Sequence, residues 1–176
     1  MSDVGELTVL VVDDEPQVQI YLQTVLEDAG FRVELAANGK QALDRMQEKE
    51  PDVISLDLVM PKMSGLKFYE YIQKNPKRAG IPVVVVTAHG KDEMGSVELK
   101  KMLVYKAKGA PVQLLEKPVK PDEYVNTIRK ALGLEPLDFD LDENSQALRV
   151  RLFEKIKSAD KETLKVALRA LEKRDS

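Results

Sequence analysis

The chain has 176 residues, 32% of them charged and 43% hydrophobic, enough for one well-buried domain plus an appendage and short for two full domains. A net charge of −3 gives no general attraction to nucleic acid or to an anionic membrane surface. The absence of cysteine excludes disulfides and thiolate metal sites and fits a reducing compartment. With no leader pattern at the start and no apolar run of spanning length, the expectation is a cytoplasmic protein without membrane contact.

From residue 7 to 133, short β-rich runs alternate with helical patterns, the signature of βαβ units around a parallel sheet. The first strand, about 7–12, carries Val9-Leu10-Val11-Val12 and ends in Asp13-Asp14. A helix follows with Pro16 in its first turn, an apolar stripe of Val18, Leu22, Val25 and Leu26, and a stop at Gly30. The second strand is expected at about 31–36, and the second helix begins near Asn38 as N-cap with Ala42, Leu43 and Met46 on one face. A third strand, about 52–57, runs through Val53-Ile54-Ser55-Leu56 to Asp57. The helix after Ser64-Gly65 presents Leu66, Tyr69 and Ile72. The fourth strand, about 82–87, is Val83-Val84-Val85-Val86 ending in Thr87. The helix after it, within 95–108, has a poorer stripe of Val97, Met102, Leu103 and Tyr105. The fifth strand, about 112–116, leads to Lys117-Pro118. The last helix starts at Pro121, carries Val125, Ile128 and Leu132, and stops at Gly133. Several strands are apolar almost throughout, as expected where helices cover both sheet faces.

Beyond Gly133 the composition changes. Residues 134–143 hold Glu135, Asp138, Asp140, Asp142 and Glu143 with no basic side chain, and read as an acidic linker. Residues 144–176 give two helical patterns, Leu148-Leu152-Ile156 and Leu164-Ala167-Leu168-Leu171, broken at Ser158-Ala159-Asp160. The expected organisation is a domain over 1–133, a linker over 134–143 and a helical hairpin over 144–176. Each stripe is too narrow for a core of its own, so the hairpin needs another surface, in cis or on a second copy.

The chemistry concentrates at strand ends. Open α/β sheets bind ligands beyond the carboxyl ends of their strands, and Asp13, Asp14 and Asp57 converge there. Three acids so placed repel one another and ask for a divalent metal. With Thr87 and Lys117 at two more strand ends, the group reads as a phosphoryl-accepting site.

These residues resemble the receiver domains of bacterial two-component response regulators. The likeness spans roughly residues 7–133 and rests on Val11-Val12-Asp13-Asp14-Glu15-Pro16, Asp57 through Gly65 (Asp-Leu-Val-Met-Pro-Lys-Met-Ser-Gly), Thr87-Ala88 and Lys117-Pro118. Each motif is weak alone; four in this order at strand ends are specific. The resemblance implies a doubly wound, flavodoxin-like five-stranded parallel sheet of order 2-1-3-4-5, here with a C-terminal helical hairpin. It implies Asp57 as the phosphoryl acceptor. Asp13, Asp14, Asp57 and the Val59 carbonyl would hold Mg²⁺, with Lys117 and Thr87 on phosphoryl oxygens. It further implies a commonly cis Lys117-Pro118 bond, and a histidine kinase or phosphotransfer protein as donor. The output would pass through contacts with a downstream protein or a second copy of the chain.

Two departures from the family pattern bear on switching: Leu114 stands where many members carry Tyr or Phe, and the stretch from Thr87 to Lys117 is longer than usual. His89 sits where the family sets phosphoryl lifetime. Nucleic-acid contact through the tail is the weaker alternative. Its helices carry nine basic against four acidic side chains through residue 174. A strand at Leu137, Phe139 and Leu141 would, however, turn Asp138 and Asp140 toward phosphate. A haloacid dehalogenase-type phosphatase would want an aspartate where Val59 stands. The expected protein is therefore a switch rather than an enzyme with an external substrate.

Overall fold

A computed structural model describes residues 4–88 and 93–137, for 93–96 the backbone alone. The chain divides into two units, Met1–Leu137 and Asp138–Ser176, of which the first is described here. His89, most of the expected linker and the whole hairpin lie outside the described residues.

Strands β1 (Thr8–Val12), β2 (Arg32–Ala36), β3 (Val53–Leu56), β4 (Val83–Thr87) and β5 (Val112–Glu116) form one parallel sheet in the order β2-β1-β3-β4-β5. Helices α1 (Pro16–Asp28), α2 (Gly39–Glu48), α3 (Gly65–Gln73), α4 (Glu93–Ala107) and α5 (Pro121–Ala131) make the crossovers. The five expected strands are found within a residue of their expected bounds, and the sheet order is the expected one.

Local chemistry accounts for the helix starts. Pro16 and Pro121 open α1 and α5, where the missing N–H costs nothing. Asn38 caps α2 by accepting from the Gln41 N–H, and Ser64 caps α3 by accepting from the Lys67 N–H. Gly30 adopts φ +91° just after α1, a left-handed turn open to glycine without steric cost.

The core is split by strand alternation. Leu10, Val12, Ile54, Leu56, Val83 and Val85 pack against Ala42 and Met46 of α2, Phe68, Tyr69 and Ile72 of α3, and Met102 of α4. Ser55 and Asp57 alternate with these residues and face the side covered by α1 and α5, where Tyr124 of α5 donates to Ser55 Oγ at 2.8 Å. Phe68 and Tyr124, absent from the expected stripes, are both fully buried. Full burial of a large apolar side chain contributes roughly 1.5–3 kcal/mol. After α5 the chain turns at Gly133 and runs back along the helix, where the Asn126 side chain both accepts from the Leu137 N–H at 2.8 Å and donates to its carbonyl at 3.2 Å.

Candidate functional site

β1 and β3 are neighbours in register, Val12 opposite Leu56, so the residues that follow them emerge side by side. Strand order reverses at this point, and the chain leaves β1 and β3 toward opposite faces of the sheet, which opens a crevice between them. The Asp57 N–H still donates to the Val12 carbonyl at 2.9 Å, and the Asp13 N–H to Ala36 at 3.0 Å. Both acids are therefore fixed by sheet-like bonds rather than carried on free loops.

Oxygens of Asp13, Asp14 and Asp57 lie within 4.8 Å of one another. Asp13 and Asp57 are buried and Asp14 is half-buried. Lys117 reaches in from the end of β5, its Nζ 2.7 Å from Asp13 Oδ2, 3.4 Å from Asp57 Oδ2 and 3.5 Å from Glu15 Oε1. The Lys117–Pro118 peptide is cis, as the resemblance implied.

Burial is the leading electrostatic effect. It raises the Asp57 carboxyl from 3.8 to about 6, aided by the Asp13 charge and opposed by Lys117. Burial likewise raises Asp13, again against Lys117. Lys117 is partly desolvated, which would lower it, but Asp57 and Asp13 outweigh that and hold it above the usual lysine range. One ammonium thus meets three carboxylates, Asp13, Glu15 and Asp57, with Asp14 beside them, and the pocket keeps an excess of negative charge. Clustered hard oxygen donors with uncompensated charge fit a small divalent cation such as Mg²⁺.

The remaining expected residues are placed as follows. Thr87 ends β4, buried, and its carbonyl accepts from the Lys117 N–H at 3.0 Å. The Val59 N–H donates to Asp57 Oδ1 at 3.4 Å, so the loop after Asp57 curls back over the carboxylate. Gly65 closes that loop: its N–H donates to Leu58 at 2.9 Å, and a Cβ there would collide with the Asp57 carbonyl and lie 2.8 Å from Leu58 Cα. Leu114 joins Thr87, Leu99, Leu103, Leu115 and Glu116 around a cavity of about 260 Å³ between α4 and β5. Sequence reasoning passed over Glu15 as a partner of Lys117, although its place beside the acidic pair was a signal. Nothing in the sequence pointed to the bond that Tyr124 makes with Ser55, nor to the one that the Tyr21 hydroxyl donates to the Val119 carbonyl.

The geometry has its counterpart in known proteins. The response regulator receiver domain family matches residues 9–129. The chain belongs to this family. Members are signalling modules and not enzymes in the usual sense. The chain is 32% identical over 144 residues to response regulator Rre1 of Synechocystis, covering 81% of this chain and 59% of that protein, so it spans about three fifths of that relative. It is 33% identical over 132 residues to a probable transcriptional regulator, ycf27, of Cyanophora paradoxa, covering 74% of this chain and half of the other. Among solved structures, the chemotaxis protein CheY4 of Vibrio cholerae superposes with a TM-score of 0.61 at 31% identity, covering 72% of this chain and 98% of that one. The receiver domain of a histidine kinase from Syntrophus aciditrophicus gives 0.62 at 25% identity, covering 76% and 98%. Among the described residues, no helix is long and apolar enough to cross a membrane.

Proposed function

We propose that the receiver is a phosphorylation-controlled switch in which Asp57 accepts a phosphoryl group from the phosphohistidine of a histidine kinase or phosphotransfer protein. The observation that carries this reading is the Asp57 carboxylate, buried yet bracketed by Lys117 and two further acids at adjoining strand ends. At neutral pH a carboxyl held near 6 is largely ionised, and one oxygen can attack phosphorus as the bond to the donor nitrogen breaks.

Lys117 would hold a phosphoryl oxygen as a compact positive charge, and the Thr87 hydroxyl would donate to another. Asp13, Asp14 and Asp57, with the Val59 carbonyl, would hold Mg²⁺, which when bound supplies charge neutralisation at a site otherwise hostile to an anionic donor. Drawing Thr87 toward the acyl phosphate would move the wall it shares with Leu103 and Leu114, a local change able to bias a two-state surface. The output is contact with a downstream protein or a second copy of the chain. Like the kinase partner, this is proposed for the whole protein from its receiver.

The test is incorporation of acid-labile phosphate from acetyl phosphate with Mg²⁺. Wild type should label and Asp57→Asn should not; equal labelling of the two would end the assignment. Solution mass by light scattering, with and without beryllofluoride, then separates self-association from a surface read by another protein.

A further inference from the structure

Tyr21 stands on α1, outside the acidic cluster, and is half-buried. Its hydroxyl donates to the carbonyl of Val119 at 3.0 Å, a bond between residues 98 apart in the chain. Val119 is buried and lies two residues beyond Lys117. On the other side of the lysine, the Lys117 N–H donates to the Thr87 carbonyl at 3.0 Å, extending the β4–β5 ladder.

The backbone at the root of Lys117 is thus held before it by the sheet and behind it by α1. A lysine has a flexible four-carbon stem, so the place of its ammonium depends on where the backbone starts it. That place is demanding here, since one ammonium contacts Asp13 at 2.7 Å and Asp57 at 3.4 Å. The same helix braces the opposite flank, where Gln19 Nε2 donates to the Ala36 carbonyl at 2.9 Å, the carbonyl that also receives the Asp13 N–H. α1 therefore works as a crossbar between the strand end that carries Asp13 and the loop that carries Lys117.

We infer that Tyr21 is a positioning residue for Lys117: by gripping the Val119 carbonyl it fixes where the loop delivers the ammonium between Asp13 and Asp57. Its consequence for phosphoryl uptake rests on the function proposed above, whereas the positioning itself does not.

Tyr21→Phe keeps the ring and removes only the hydroxyl, and one hydrogen bond of this kind corresponds to a change of roughly 2–10-fold. Two measurements on the full chain follow from this. In the first, site-resolved acylation of lysine amines by mass spectrometry, Tyr21→Phe should speed Lys117 by that factor. It should leave unchanged Lys49, whose Nζ donates to Thr8 Oγ1 at 3.0 Å elsewhere in the fold. Gln19→Ala, which cuts the other brace, should leave Lys117 within about twofold. An unchanged Lys117 rate, or an equal rise at Lys49, would overturn the inference, the second because it means general loosening.

In the second, phosphoryl uptake from acetyl phosphate with Mg²⁺ should fall by a similar factor on Tyr21→Phe. In a Lys117→Ala background the same substitution should add nothing, since the two residues act as one unit. Additive losses would overturn the inference. A Lys117-selective rise in acylation on Tyr21→Phe, in a protein whose wild type takes up no phosphate, would uphold the positioning and overturn the phosphoacceptor reading instead.

Discussion

Asp57→Asn should make the metal-free protein more stable, although it removes the residue on which the proposed function depends. The folded chain holds the Asp57 carboxyl near 6 against an ordinary 3.8, with a side chain only 8% exposed. At 1.36 kcal/mol per pKa unit, ionising it in the fold rather than in the unfolded chain costs about 3 kcal/mol. The sign follows from proton counting. Well below 3.8 the carboxyl is neutral in both states and the penalty is absent, and at pH 4 only a small part of it is present. As pH rises toward 6 the unfolded chain releases its proton while the folded chain keeps it, and stability falls. Above 6 the whole cost is present. Asparagine never ionises, so in chelator at pH 8 the variant should exceed wild type by about 3 kcal/mol, or about 6–12 °C in Tm for a chain of this size. Urea melts of both proteins at pH 8 and pH 4, with chelator throughout, measure the gap at each end. No gain at pH 8, or a gain that persists undiminished at pH 4, would refute the reasoning. Adding Mg²⁺ at pH 8 should narrow the gap, because only wild type offers the full carboxylate set.

Other substitutions test separate parts of the account. Lys117→Ala strips the cation from Asp13 and Asp57 and should cost about 3 kcal/mol in chelator by urea melting, with partial recovery in Mg²⁺; an equal loss in both conditions would contradict the charge argument. Gly65→Ala drives a methyl into the backbone of Asp57 and Leu58, which cannot yield as a side chain would. It should cost about 3 kcal/mol and weaken Mg²⁺ binding measured by titration calorimetry. Lys62 adopts φ 67°, a left-handed conformation that asparagine tolerates better, so Lys62→Asn should stabilise by up to about 1 kcal/mol in the same melts.

The sheet was legible because each strand announces itself twice, by an apolar run and by the polar residue that ends it. Val83-Val84-Val85-Val86 followed by Thr87 could hardly be anything else, and β4 lies where that reading put it. The caps Asn38 and Ser64 were readable for the same reason, since the short side chain satisfies donors only a few residues away. α4 was harder. Val97, Leu103 and Val104 are exposed while Met102 is buried, so its apolar residues do not trace one inward stripe. Asp13, Asp14, Asp57 and Lys117 meet as their strand-end positions implied. The braces around them were invisible in the sequence. Tyr21 to Val119 and Tyr124 to Ser55 join residues 98 and 69 apart, and a lone tyrosine in a helical pattern carries no mark of its partner.

The distribution of the pocket over β1, β3 and β5 also sets when, during synthesis, it can come into being. Lys117 is the last of its charged members to leave the ribosome, 60 residues after Asp57. A nascent chain that has emerged only through β4 would carry the acids without their cation, and the pocket would be incomplete. On the function proposed above, competence would arrive as a late event, with β5.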